Sequence, residues 1–242
     1  MLKLNKKYLS LLFVVLVFVF SGCGEDLFES DEDTHATPAP YADTAAPTGT
    51  ITINSGASPN ITNSTLVTLN ISATDYTGVS QMCVSDSTMC TTWETVTTST
   101  TFATTKTWTL PAGDGTKTVY IWFKDVLGNA NTTPYSGTII LDTTAPVDGT
   151  LTANRSVNGS VITLSWSGFS DGTAGSGIKN YTLVFSTNLI ASCSAGTPVP
   201  NYTGTSGPYD HTGLNAGTTY SYWLCATDWV GFTSSGAVVT VP

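Results

Sequence analysis

The distribution of apolar and polar positions divides the chain into three stretches. From Leu9 to Phe20 the run LSLLFVVLVFVF is almost entirely apolar. Residues 24–44, GEDLFESDEDTHATPAPYADT, hold six acids between Glu25 and Asp33, then Pro38 and Pro40, and no periodic apolar pattern. Beyond them, short segments alternate with period two, and Gly, Asn, Asp and Pro fall between them, which is the signature of strands and turns. In the first half of this region the predicted strands are Ser64–Ala73, Lys117–Asp125 and Ser136–Asp142. In the second half they are Ser160–Trp166, Asn180–Ser186 and Thr218–Asp228. Alternation places Val67, Leu69 and Ile71 on one inward face, with Val119, Ile121 and Phe123 on another and Ile162, Leu164 and Trp166 on a third. No helical periodicity follows the first apolar run, so the fold class is all-β.

The pattern also repeats. DTAAPTGTITIN starts at Asp43 and DTTAPVDGTLTAN at Asp142, a recurrence after 99 residues, which is the length of one β-sandwich. The expected organisation is a leader over 1–22, a cysteine-headed tether over 23–44, and sandwiches over 45–143 and 144–242.

Composition and charge narrow the setting. Charged residues make up 10% of the chain, and Thr, Ser, Gly and Asn fill surface positions that Lys and Glu take in most cytoplasmic proteins. Lys3, Lys6 and Lys7 precede Cys23 and every acid follows it, so the remainder carries five basic and seventeen acidic residues. That surface repels phosphate backbones, so nucleic acid is excluded as a partner. The acidic, Pro-containing stretch buries no core and stays extended by self-repulsion.

The leader combines a basic start, an apolar core shorter than the about 20 residues a spanning helix needs, and small residues. With Ser21, Gly22 and Cys23 at its end it resembles the bacterial lipoprotein family, although Phe20 stands where Leu is usual. The resemblance implies a diacylglyceryl thioether on Cys23, cleavage before it and N-acylation. Its acyl chains would give a stable membrane anchor in the bacterial cell envelope, at the outer membrane or cell surface or facing the periplasm. An ordinary secretory signal with an incidental cysteine is the competing reading.

The second sandwich resembles fibronectin type III and related bacterial immunoglobulin-like modules. The resemblance rests on SWSGFSD from Ser165, GSGIKNYTLVFS after it, and GLNAGTTYSYWLCATDWVG from Gly213. It implies a tyrosine corner built by Leu214 and Tyr220. The first sandwich, through LPAGDGTKTVYIWFKDVLGN and IILDTTAP, resembles bacterial immunoglobulin-like repeats more loosely. These folds host many unrelated binding roles.

Five cysteines, at 23, 83, 90, 193 and 225, leave one over. Cys83 and Cys90 flank VSDSTM at a spacing suited to closing a hairpin. Cys193 and Cys225 are the pair expected in the second sandwich, where alternation turns Cys225 outward beside Trp223. Cys23 then has no partner, which agrees with attachment. A metal site is the alternative for these cysteines, but there is no CxxC pair and no accompanying histidine.

The residues give little sign of catalysis. His211 follows Asp210 near Ser206, and adjacent strand residues point to opposite faces, so Asp210 is badly placed to orient it. A surface strand-end histidine is the expectation. Asp75, Asp125, Asp171 and Asp228 fall at strand ends, where aspartate caps turns. Asp125 and Asp228 occupy matching places, and Asp142 and Asp148 bracket the junction of the sandwiches. Calcium stiffening of that joint is the alternative to turn capping; the expectation is no metal and no cofactor. Trp122 and Trp223 lie opposite the core residues of their strands and are the candidate ligand contacts, unless loops or the neighbouring sandwich cover them.

The sequence thus predicts a non-enzymatic, lipid-anchored envelope protein whose tandem sandwiches act as a spacer or an adhesion and protein-binding module. The alternative is a carbohydrate-binding accessory using exposed tryptophans. The protein or glycan ligand is unnamed by the sequence.

Overall fold

The computed structural model describes residues 42–56, 59–188, 192–204 and 207–242. The leader, Cys23, most of the tether and Ser206 lie outside the described residues. Asp43–Pro242 forms one compact unit, built from two sandwiches that share no sheet. None of the described helices is long and apolar enough to cross a membrane.

The first sandwich is organised by a long hairpin, β3 (Leu66–Ser85) and β4 (Glu94–Thr109). The register between them breaks from Thr74 to Val79, around Gly78 at a φ of 103°. Only glycine adopts that backbone without strain, and the break bends both strands so that each serves two layers. In one layer β1 (Thr48–Ile53) pairs with the first half of β3, which pairs on its other side with the second half of β4. In the other layer the first half of β4 borders the end of β3. Next come β5 (Gly115–Asp125), β6 (Tyr135–Leu141) and the short β2 (Ile61–Thr62), which runs parallel to β6.

Leu69, Val119, Ile121 and Phe123 meet in the core between these layers, each fully buried. Burial of a side chain of this size contributes about 1.5–3 kcal/mol. Gly49 in the repeated start motif permits the close packing, since a Cβ there would fall 2.4 Å from the Phe123 ring.

The second sandwich has two layers with antiparallel pairing throughout. One is β11 (Tyr209–Thr212), β8 (Val161–Ser167) and β7 (Thr150–Arg155). The other is β10 (Thr197–Pro198), β9 (Ile178–Ser186), β12 (Tyr220–Asp228) and β13 (Ala237–Val241). A three-stranded sheet facing a four-stranded one in this order is the fibronectin type III-like arrangement. The chain is therefore all-β with immunoglobulin-like and fibronectin type III-like sandwiches. Ile162, Leu164, Tyr222 and Leu224 fill the core as alternation requires.

The tyrosine corner is present. Leu214 is buried and the Asn215 amide donates to the Tyr220 hydroxyl at 3.3 Å. Arg155 locks the same corner, donating to the carbonyls of Gly159, Asn215 and Thr218, with its guanidinium 5.5 Å from the Tyr220 ring centre.

Candidate functional site

Both disulfides form: Cys83–Cys90 and Cys193–Cys225. Cys83 stands directly beside Trp122 on the outer face of its sheet. Cys193 lies in the connection between β9 and β10, so its bond ties that connection, rather than a neighbouring strand, to β12.

The disulfides bear on the two tryptophan candidates, which the structure corrects. Trp122 and Trp223 do lie opposite their strands' core residues, yet they are only 5% and 7% exposed. Alternation gives the face of a strand but not what covers it. Beside Trp122 stand Cys83, whose disulfide closes residues 83–90, and Tyr120, with its ring centre 6.3 Å away; the Lys124 ammonium lies 4.1 Å from the Trp93 ring centre. At Trp223, Gly236 approaches so closely that an added Cβ would sit 2.7 Å from the Cys225 sulfur and 3.3 Å from the indole.

His211 is corrected too. It is buried in the second sandwich rather than set at the surface. Its Nδ1 is 2.9 Å from the Tyr222 hydroxyl and its ring is 4.5 Å from that of Phe185. Burial pushes its pKa below the ordinary value. It is a core histidine whose partner is the Tyr222 hydroxyl, while the neighbouring Asp210 accepts from the Thr163 hydroxyl instead, which is not the geometry of a carboxylate-oriented general base.

The aspartates converge. Among the described residues two clusters form, Asp43 with Asp75 and Asp125, and Asp142 with Asp171 and Asp228, and in each one carboxylate oxygen per residue lies within 4.8 Å of the others. The clusters are copies of one design. Val79 pairs with Asp125 in the first sandwich as Ile178 pairs with Asp228 in the second. Asp75 accepts from the Gly78 amide as Asp171 does from the Gly177 amide, at 2.9 and 2.6 Å. The Asp125 amide donates to the Asn129 carbonyl as the Asp228 amide does to that of Phe232.

Their environments differ. In the first cluster the Thr77 hydroxyl lies 2.9 Å from Asp75 Oδ1 and 3.3 Å from both Asp43 Oδ2 and Asp125 Oδ2. The Asn129 side chain donates to Asp125 Oδ2 at 2.7 Å and to the Asp43 carbonyl at 3.0 Å. Burial raises the Asp125 carboxyl, but the Asn129 side chain and the backbone amides of Asn129, Leu127 and Gly128 outweigh it and hold the carboxyl below the usual range.

The second cluster spans the joint between the sandwiches. Asp142 follows β6 of the first sandwich, is fully buried, and accepts at Oδ2 from the Ser176 amide of the second at 2.8 Å. Asp228 is also fully buried. Its Oδ1 accepts from the amides of Gly231 and Phe232, and its Oδ2 has no partner. Asp171 is 8% exposed and its Oδ1 is likewise unpartnered. Burial first, opposed by the Gly177 amide, and then the charges of Asp142 and Asp228 hold its carboxyl above the usual range. Gly175 lets the loop close over Asp171, since a Cβ there would lie 2.1 Å from the Asp171 carbonyl oxygen.

Asp148, the other aspartate expected at the junction, caps the start of β13 instead. It accepts from the Gly236 amide and the Ser235 hydroxyl. Asp114, which no pattern in the sequence singles out, holds the connection itself, accepting from the Thr143 amide and the hydroxyls of Thr143 and Thr144.

No family model matches the chain, and no curated protein matches it. Solved structures do. Fibronectin(III)-like modules of Clostridium thermocellum CbhA align at 18% identity and a TM-score of 0.37, over 78% of this chain and 92% of theirs. The human OSCAR ligand-binding domain aligns at 13% and 0.36, over 81% and 100%. The FN1–FN3 domains of chicken CNTN1 align at 13% and 0.36, over 72% and 62%.

Proposed function

We propose that the chain is a non-enzymatic, lipid-anchored envelope protein in which the paired sandwiches act as a spacer that presents a binding or adhesion surface away from the membrane. The observation that carries this reading is the joint. Residues 142–149 connect β6 to β7, and they are held from both sides, by the Asp114 side chain of the first sandwich and by the Ser176 backbone amide of the second, which donates to Asp142. A connection so short and so tied keeps two modules in series rather than letting them swing, which suits a spacer. The acidic stretch before Asp43 fits the role of a leash between Cys23 and the folded part.

The carbohydrate-binding alternative loses its two designated contacts, because Trp122 and Trp223 are covered. The outer face of β1, β3 and β4 offers hydroxyls instead, with Thr48 bonded across strands to Thr74 and Thr50 to Ser72.

Attachment is tested by fractionating cells that make the chain with and without Cys23→Ser, after labelling with a palmitate analogue. The expected result is label and membrane partition for the parent and neither for the variant; equal partition of both would overturn the anchor. Protease shaving of intact cells, read with an antibody to the sandwiches, reports whether the spacer reaches the surface.

A further inference from the structure

Three carboxylates share one buried place at the joint. Among the described residues the one ion pair is Lys106–Glu94, in the first sandwich, and the Lys179 ammonium sits 5.6 Å from the Trp229 ring centre instead of in an ion pair. Charges so placed repel strongly and lack the hydration that would offset burial. The two orphaned oxygens sharpen the point. Asp228 Oδ2 and Asp171 Oδ1 are buried acceptors with no donor, and both belong to the converging carboxylates.

The first cluster shows what is missing. Where Asn129 gives its side-chain amide to Asp125 Oδ2, the matching residue in the second is Phe232, which has no donor to give. The first cluster leaves no buried oxygen without a partner; the second leaves two.

We propose that Asp142, Asp171 and Asp228 form a calcium site, and that the bound ion clamps the two sandwiches together. All three ligands are hard oxygen donors with no nitrogen or sulfur among them, which selects a hard cation. The pocket is buried and built of protein oxygens, so the ion must shed water, which magnesium does reluctantly and calcium readily. Asp142 comes from the first sandwich and the other two from the second, so the ion bridges the joint and calcium binding adds directly to its stability. The Asp43, Asp75 and Asp125 cluster, which has no orphaned buried oxygen, takes no part.

The test is thermal unfolding of the full chain in detergent with EDTA, calcium or magnesium. Calcium raises the melting temperature of the parent by several degrees and magnesium does not. Asp228→Asn and Asp171→Asn lose the calcium shift, with calcium affinity weakened at least tenfold by titration calorimetry, while Asp75→Asn keeps it. In EDTA, Asp171→Asn melts higher than the parent because one repelling charge is gone. Phe232→Asn, which leaves all three carboxylates in place, supplies the missing donor and shrinks the shift. The proposal is overturned if calcium gives no shift, if magnesium matches it, or if the shift survives both Asp228→Asn and Asp171→Asn.

Discussion

At the scale of single residues, burial decides roles that residue type leaves open. His211 is the clearest case, since a histidine next to an aspartate suggests chemistry until its ring is found packed on Phe185 and bonded to Tyr222. Its lowered pKa fixes the sign of a pH effect. Between its folded value and the ordinary value of 6.5 the unfolded chain takes up a proton that the folded chain refuses. The stability linked to His211 is therefore intact above that ordinary value and is lost as pH falls toward the folded one. Melting curves at pH 7 and 5 should show this loss in the parent and a smaller one in His211→Gln. Asp171 acts in the opposite sense without cation, because its raised value makes the folded state take the proton first; its contribution improves as pH falls into the carboxylate range. Replacing both residues separates the two slopes. At the tyrosine corner, Tyr220→Phe removes the acceptor for the Asn215 amide and should cost about 0.5–1.5 kcal/mol in denaturant unfolding.

Among the elements, the strands follow the period-two pattern, and what escapes it is the covering of their outer faces. Val119, Ile121 and Phe123 point inward as alternation requires, and Trp122 between them points outward, yet it is buried, paired with Cys83 and with its ring centre 6.3 Å from that of Tyr120. Chain segments far from a strand's own residues do this covering, so no local periodicity encodes it. The two disulfides, each with one cysteine on an outer face, tie the chain with unequal effect. Cys83–Cys90 spans a separation of 7 and Cys193–Cys225 one of 32. By loop-closure entropy the first should stabilise by about 2 kcal/mol and the second by about 4. Paired serine replacements compared by urea unfolding should reproduce that order, and the second pair should also expose Trp223 to a quencher of indole fluorescence.

Over the whole molecule the joint is the deciding feature. Asp114 is bound by Thr143 and Thr144, whose hydrogen bonds hold its carboxyl below the usual range. Asp114→Ala should speed limited proteolysis within 142–149 while leaving each sandwich's own melting nearly unchanged, and the parent should show the same weakening as pH falls through the carboxylate range. The sequence by itself determined the all-β class, the two repeats, the inward faces, both disulfide pairs and the matching places of Asp125 and Asp228. All of these follow from short-range periodicity, spacing or self-similarity, which a chain displays before it folds. Only the tertiary structure decided that Asp142, Asp171 and Asp228 meet, that Asp228 is left with an oxygen no donor reaches, and that Trp122, Trp223 and His211 are hidden. Those outcomes depend on which distant segments pack against one another, and burial and electrostatic coupling exist only once that packing brings them within a few ångströms.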